Sequence, residues 1–151
     1  MPLERTLVLV KPDGVQRSLT GEVIGRLERR GLKLIGLKLM QMDDALARRH
    51  YEAHVDKPFF AGLKDFMTSG PLVAAAMEGP NAVQATRNAM GATNPIDSAA
   101  GTIRGDFGLD IGRNIVHGSD SAEAGEREIA LFFEPDELFN WTRDVDRWVI
   151  E

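Results

Sequence analysis

A single histidine stands at the end of a short apolar run in the segment GRNIVHGSDS, residues 112–121. Ile115 and Val116 precede His117, and small or polar residues follow it, so the ring is expected at an open strand end. Imidazole is partly neutral near pH 7, because its unperturbed pKa is about 6.5. A neutral ring can attack phosphorus when one nitrogen is free and the other is anchored. The segment therefore predicts a nucleophile or general base, although a lone strand-end histidine is more often satisfied by backbone groups.

The anchor that such a histidine needs is predicted in the helix that follows it. Glu128 shares one helical face with Ser121 and Gly125, and the missing side chain of Gly125 would let a strand approach. A carboxylate at this place can hold the ring and steady the charge that develops on it. Ser119 is placed to orient that carboxylate.

Side chains that could bind phosphate are spread along the chain. Catalysis of phosphoryl transfer rests mainly on positioning and on neutralising charge. Each of these residues alone would more often be a solvated surface residue, so only their occurrence together with NIVHGSD favours a triphosphate site. The candidates are Lys11, Tyr51, Arg87, Thr93, Arg104 and Asn114.

Alternating strand and helix patterns must position these groups. The order β-α-β-α-α-β-α-β-α predicts an α/β (α+β) fold, a ferredoxin-like split βαβ sandwich with a four-stranded antiparallel sheet covered by helices. A doubly wound sheet fits this order less well. The segment 91–114 shows little periodicity and is expected to be a functional loop. The predicted strands span residues 5–10, 33–42, 72–77 and 114–118.

Local signals predict where several elements begin and which face they bury. Thr20, Asn81 and Ser121 are expected to cap helices, and a further helix is expected from Asp43 to about His54. The apolar C-terminal segment 143–151 is expected to dock against another surface. The second strand is predicted to have one apolar face formed by Ile35, Leu37 and Leu39.

Length and composition limit the class of protein. The 151 residues suit one domain, 1–151, with a net charge of −5 from 18 basic and 23 acidic residues. An acidic chain is a poor general binder of nucleic acid, so no specific nucleic acid is expected. No signal peptide or membrane span is visible, so the predicted location is cytoplasmic, without membrane association. The absence of cysteine excludes disulfides and thiolate metal sites.

Two other motifs resemble functional sites. DFG at residues 106–108 resembles the metal motif of protein kinases, but the chain is too short for that fold and lacks its glycine-rich loop. His50 and His54 in HYEAH lie one helical turn apart, a spacing that can bind a metal. Because no third ligand is evident, a polar helix face is the favoured interpretation of this pair.

Five blocks of the sequence together resemble the nucleoside diphosphate kinase family, over essentially the whole chain. They are LVKPDGVQR, HYEAHVDKPFF, TSGP, GATNPIDSAAGTIRGDFG and GRNIVHGSD. The pattern N-x-x-H-G-S-D is highly specific, and the blocks occur in the family's order. The resemblance implies a ping-pong enzyme that transfers the terminal phosphate of a nucleoside triphosphate, typically ATP, to a nucleoside diphosphate.

The resemblance also implies roles for the residues at the point of transfer. His117 would carry the phosphate on Nδ1, while Glu128 holds the other ring nitrogen and Ser119 supports Glu128. Lys11 and Tyr51 would contact the phosphate that is transferred.

The same resemblance implies how the rest of the nucleotide is held. Arg87, Thr93 and Arg104 would bind the remaining phosphates. Lys11 and Asn114 would bind the sugar 3′-hydroxyl, which in this family assists the leaving oxygen.

The base and the metal complete the implied substrate site. Phe59 and Ile111 would clamp the base between apolar faces, with Leu63 nearby, although Ile111 is often valine in relatives. Stacking without hydrogen bonds to the base edge predicts weak discrimination between bases. Mg²⁺ is expected to arrive with the nucleotide and to have no direct protein ligand, with Asp120 reaching it through water.

Two alternatives and the assembly state remain to be considered. A non-catalytic scaffold on the same fold would be expected to have lost a site residue, and none is lost here. A nucleic-acid-binding protein would need a basic stripe, which the overall charge disfavours. Relatives in this family are oligomers, and retention of the tail RDVDRWVIE favours a hexamer built from dimers over a tetramer.

Overall fold

The computed structural model describes residues 2–151 and contains one four-stranded sheet. The strands run in the order β2-β3-β1-β4, and every neighbouring pair is antiparallel. This order is that of two interleaved β-α-β units, so the predicted ferredoxin-like α+β fold is confirmed. The strands are β1 (Leu3–Val10), β2 (Lys33–Met40), β3 (Leu72–Pro80) and β4 (Val116–Gly118).

Helices cover both faces of this sheet. The helices are α1 (Pro12–Gln16), α2 (Thr20–Arg29), α3 (Asp44–His50), α4 (Phe60–Met67), α5 (Ala82–Met90), α6 (Ile103–Phe107), α7 (Ala122–Phe132) and α8 (Asp146–Val149). Single 3-10 turns lie at Glu52–His54, Pro95–Asp97, Ile111–Arg113 and Pro135–Glu137. Among residues 2–151, the structure has no helix long and apolar enough to cross a membrane.

Strand β1 supplies side chains to two separate cores because successive residues of a strand point to opposite faces. Val8 and Val10 pack with helices α2 and α5, whereas Leu7 and Leu9 pack with α3, α4 and α7. Covering on both faces explains why the sequence of β1 is a nearly continuous apolar run rather than an alternating one.

Strand β2 differs from the sequence prediction in the side chains that it buries. Ile35 is 2% exposed, but Leu37 and Leu39 are 52% and 66% exposed. The register of β2 against β3 shifts between Leu34 and Gly36. This irregularity inserts a residue into the alternation, so the three apolar side chains do not share one buried face.

The predicted helix caps are partly wrong. Ser121 caps α7, since its hydroxyl accepts the N–H of Ala124 at 3.0 Å. Thr20 is already helical, and Asn81 has a left-handed backbone without a side-chain cap. Instead, the cap at the N-terminus of α5 comes from strand β1, where the Glu4 carboxylate accepts the N–H of Val83 at 3.2 Å. Such a cap comes from tertiary structure and leaves no local pattern.

Other element boundaries also differ from prediction. Helix α1 was not expected, and α3 ends at His50, with only a 3-10 turn continuing to His54. The segment 91–114 is more regular than predicted, since it contains α6 and two 3-10 turns. Strand β4 begins at Val116 rather than Asn114.

Candidate active site

The central feature of the site is His117 on strand β4, whose side chain is 21% exposed. Backbone pairing opposite Leu9 of β1 fixes its position in the sheet. Its Nε2 lies 2.9 Å from Oε1 of Glu128, which projects from α7. The hydrogen bond uses one ring nitrogen, so Nδ1 is the nitrogen left for chemistry.

Glu128 is held by a second contact from the strand side. The buried hydroxyl of Ser119 donates to Glu128 Oε1 at 2.8 Å and accepts the N–H of Leu7 at 3.0 Å. Close packing of α7 on β1 makes this possible, since a Cβ on Gly125 would lie 2.0 Å from the carbonyl oxygen of Arg5. A glycine is therefore required for the helix to bring its carboxylate to the histidine.

The carboxyl group of Glu128 is poised to remain ionised. Burial raises its pKa, but the hydrogen bond and charge of His117 and the bond from Ser119 outweigh that effect. The pKa of Glu128 consequently lies below its usual range. An ionised carboxylate at this distance can stabilise the positive charge that the ring gains when it attacks an electrophile through Nδ1.

A polar cavity of about 280 Å³ opens beside the histidine. Within it the ammonium of Lys11 donates to Oδ1 of Asn114 at 2.9 Å, and the Asn114 amide donates to the carbonyl of Thr93 at the same distance. Burial, followed by the nearby charge of Arg104, lowers the pKa of Lys11 to about 8. An anionic ligand would relieve this unfavourable charge. The predicted phosphate residues that line the cavity are Lys11, Arg87, Thr93, Arg104 and Asn114.

The two arginines of this cavity differ in how tightly they are held. Arg104 is buried, and its guanidinium donates to the carbonyls of Asn114 at 3.1 Å and Val116 at 2.6 Å, with two longer bonds to loop carbonyls. Burial and the charge of Arg87 lower the pKa of Arg104 to about 10. Arg87 is exposed and has one long bond, at 3.3 Å, to the carbonyl of Gly118. Arg104 thus organises the backbone, and Arg87 is freer to meet a ligand.

A second and larger cavity, about 540 Å³, also borders His117. It contains Tyr51 and His54, and it shares His117, Asp120 and Glu128 with the first cavity. Burial, and then the charge of Glu128, raises the pKa of the Tyr51 hydroxyl, which therefore stays protonated and able to donate a hydrogen bond.

The interpretation of His50 as part of a polar helix face is wrong. Its ring is buried, and its centroid lies 5.0 Å from that of His117 and 5.1 Å from that of Phe132, both edge-on. Burial, and then the charge of His117, lowers the pKa of His50 to about 3. The sequence signal for this position was its spacing from Ala47, which is buried one turn earlier on the same face of α3.

The residues expected to clamp a base lie outside both cavities. Phe59 and Ile111 are 52% and 55% exposed, and Leu63 is partly buried against the α3–α4–α7 core. His54, which lines the larger cavity, has its ring centroid 5.5 Å from that of Phe59. Phe59 and Ile111 therefore expose apolar surface, and their role in stacking on a base stays a prediction.

The acidic groups suit a metal ion that arrives with a ligand. Among residues 2–151, no group of three or more histidine, aspartate or glutamate side chains could hold a metal by itself. Asp120 is exposed and borders both cavities. One accessible carboxylate beside a phosphate cavity fits Mg²⁺, which keeps several waters and binds substrate phosphates together with one or two carboxylates.

An anchored imidazole that faces a basic cleft defines the class of the molecule: an enzyme that moves phosphoryl groups. Comparison with known proteins gives the family. The sequence profile described as "Nucleoside diphosphate kinase" matches residues 4–138. The chain belongs to the nucleoside diphosphate kinase family and transfers phosphate between nucleotides.

Individual relatives are similar along nearly their whole length. The nucleoside diphosphate kinase of Archaeoglobus fulgidus is 56% identical over 149 residues, covering 99% of each chain. That of Gloeobacter violaceus is 58% identical over 149 residues, covering 99% of this chain and all of the other. A halophilic enzyme from Halobacterium salinarum, solved in complex with CDP, has a TM-score of 0.95 at 56% identity, covering 98% of this chain and 99% of its own.

Proposed function

We propose that His117 carries the phosphoryl group between two nucleotides in a ping-pong reaction. The Nδ1 lone pair attacks the terminal phosphorus of a nucleoside triphosphate, an N–P bond forms, and the bond to the bridging oxygen breaks. The nucleoside diphosphate leaves with that electron pair. A terminal phosphate oxygen of a second nucleoside diphosphate then attacks the same phosphorus, and the N–P bond breaks. The contact of His117 Nε2 with Glu128 carries this proposal, because it leaves Nδ1 free.

Glu128 and Ser119 orient the ring and stabilise its charge in this scheme. The proton on Nε2 remains shared with the Glu128 carboxylate while Nδ1 gains its bond to phosphorus. Ser119 prevents the carboxylate from turning away, since its hydroxyl bridges Glu128 and the backbone of Leu7. Lys11 and Tyr51 donate to the oxygens of the transferring phosphate, where negative charge must be stabilised.

The remaining groups of the nucleotide have proposed partners along the cleft. Arg87, Thr93 and Arg104 bind the non-transferred phosphates, and Lys11 and Asn114 bind the sugar 3′-hydroxyl. The existing bond between Lys11 Nζ and Asn114 Oδ1 holds these two groups where one hydroxyl can meet both.

The base stacks between Phe59 and Ile111, with Leu63 beside it, in the proposed complex. Their exposed apolar surfaces supply stacking area without base-specific hydrogen bonds, which supports broad acceptance of bases. Bound with the nucleotide, Mg²⁺ would offset the negative charge of the phosphates. Asp120 would hold a water of its shell.

The assembly proposed for this chain is a hexamer built from dimers, rather than a tetramer. Edge strand β2 exposes Leu37 and Leu39, and an apolar groove of about 360 Å³ beside it includes Phe139 and Trp141. Trp148 in the tail is 78% exposed. Large exposed apolar side chains on and beside an edge strand mark surfaces that other chains cover. A light-scattering mass of a tetramer or monomer would contradict this assembly. The cytoplasmic location stays a prediction.

Phosphoenzyme labelling tests the proposed reaction. The protein is mixed with γ-labelled ATP and magnesium without acceptor, and the protein-bound label is then chased with a different nucleoside diphosphate. Label that is acid-labile, alkali-stable and transferred on the chase supports a phosphohistidine. His117→Ala should abolish the label, and His54→Ala, a nearby histidine without contact to Glu128, should retain it. No label on the unaltered protein, with ATP binding intact, would contradict the proposal.

A further inference from the structure

The backbone just before the reactive histidine is strained. Ile115 has φ of +74°, and among residues 2–151 only two other non-glycine residues have positive φ. A β-branched side chain disfavours this conformation, and Ile115 is also fully buried. The N–H of Val116 bonds to the carbonyl of Asn114 at 2.8 Å, so the segment makes a three-residue turn centred on Ile115. Three-residue turns with this sign of φ are rare and strained.

The N–H and the carbonyl of Ile115 both form hydrogen bonds with the segment that begins α1. Its N–H donates to Oδ2 of Asp13 at 3.0 Å, and its carbonyl accepts the N–H of Lys11 at 2.8 Å. These contacts join positions about a hundred residues apart in sequence. A strained turn persists only when its surroundings over-determine it, and these two bonds supply that constraint.

Close packing brings α1 against the turn. A Cβ on Gly14 would lie 2.7 Å from Val10 Cγ1, and 3.1 Å from both Cγ2 and the carbonyl oxygen of Ile115. Asp13 therefore approaches Ile115 through a gap that a larger residue at position 14 would close. The other carboxylate oxygen of Asp13 is buried without a hydrogen-bond partner. Burying such an oxygen costs stability, so stability is a poor explanation for an aspartate here.

The turn sets the direction of the groups on either side of it. Asn114, immediately before Ile115, accepts from the ammonium of Lys11, and His117 follows two residues after Ile115. A change in the backbone of Ile115 would rotate the Asn114 side chain and displace the start of strand β4. We propose that Asp13 is a positioning residue, whose bond to the Ile115 N–H holds Asn114 and His117 in register for phosphoryl transfer. This inference rests on the proposed role of His117.

Two substitutions separate the geometry of Asp13 from its charge. Asp13→Asn keeps an acceptor of the same length and removes the charge. Asp13→Glu keeps the charge and moves the acceptor by about one bond. The readout is the single-turnover rate of protein labelling by γ-labelled ATP at saturating nucleotide, with the dissociation constant for ADP measured alongside. Glu4→Gln is the control, because Glu4 also accepts a distant backbone N–H but lies at the far end of β1.

The expected result is a slow Asp13→Glu enzyme with intact binding. A displacement of about 1 Å at reacting groups can cost about 100-fold in rate, so labelling by Asp13→Glu should fall by about that factor while ADP affinity changes less than about threefold. Asp13→Asn and Glu4→Gln should stay within about tenfold of the unaltered protein. If Asp13→Glu does not fold, Asp13→Ala takes its place with the same expectation.

Three results would overturn the inference. They are an unchanged labelling rate in Asp13→Glu or Asp13→Ala, an Asp13→Asn enzyme as slow as these variants, and an equal loss in the Glu4→Gln control. Failure of the unaltered protein to label would instead contradict the role of His117.

Discussion

Acidification should destabilise this fold through His50, a histidine that has no role in the proposed reaction. Its ring is buried against His117 and Phe132, and its Nδ1 has no hydrogen-bond partner. In the folded protein, burial is the main cause that lowers the pKa of His50 to about 3, and the charge of His117 is the next. The charges of Arg127 and Lys11 lower the pKa further, whereas the charge of Glu128 raises it. In the unfolded chain the histidine titrates near its ordinary pKa of about 6.5.

The sign and size of the effect follow from proton linkage. Between pH 6.5 and pH 3 the unfolded chain binds a proton at position 50 that the folded protein does not bind. Stability is therefore fully present above about pH 6.5 and is lost as pH falls, by about 1.4 kcal/mol per pH unit. At pH 5 the loss attributable to His50 is about 2 kcal/mol. The substitution His50→Phe keeps an aromatic ring against Phe132 and removes the titration.

Urea unfolding at pH 8 and pH 5 measures the effect, at one protein concentration because assembly contributes to stability. The carboxylates titrate in both proteins, so the informative quantity is the difference in pH dependence between them. We expect the unaltered protein to lose about 2 kcal/mol more than His50→Phe between these pH values. Equal losses in the two proteins would show that His50 is protonated in the folded state and would refute this reasoning.

Three further outcomes follow from contacts around the site. Above pH 8, ADP affinity measured by calorimetry should weaken as Lys11 loses its proton, because the protonated ammonium favours the anion, and Lys11→Arg should flatten this dependence. Glu128→Gln should lower the single-turnover rate of labelling by about 10–100-fold, which corresponds to the loss of one charged hydrogen bond. A smaller change would show that Glu128 does not stabilise the charge on His117. Gly125→Ala should lower the free energy of unfolding in urea by about 3 kcal/mol, because the added Cβ would meet the Arg5 carbonyl. Gly21→Ala, which has open space around it, should leave that free energy unchanged or raise it. Equal stability of the two alanine variants would contradict the packing argument.

Local patterns predicted several features that depend only on neighbouring residues, although Thr20, which was expected to cap α2, is already helical. The Ser121 cap belongs to this group, as does the apolar run of β1, because hydrophobic periodicity and capping act within a few residues. Where a distant segment intervenes, the predictions were wrong. Glu4 replaces Asn81 as the cap of α5, and the irregular pairing of β2 with β3 exposes Leu37 and Leu39.

The residue types of the candidate site were visible in the sequence alone. A histidine followed by small residues, with a glutamate in the next helix, indicates an anchored nucleophile before any coordinates are known. The signature around His117 also identified the family. Such patterns are readable because the chemistry demands particular side chains at nearly fixed spacing along one strand and the helix after it.

Only the tertiary structure decided how the rest of the site is held. The burial of His50 against His117 joins segments that are remote in sequence, and the buried Arg104 holds the backbone carbonyls of Asn114 and Val116 in the following segment. The bond from Asp13 to the strained Ile115 also joins remote segments. The sequence alone therefore determined which groups can react. Packing between distant segments decided the orientation and charge of these groups, because burial and hydrogen-bond partners exist only in the folded chain.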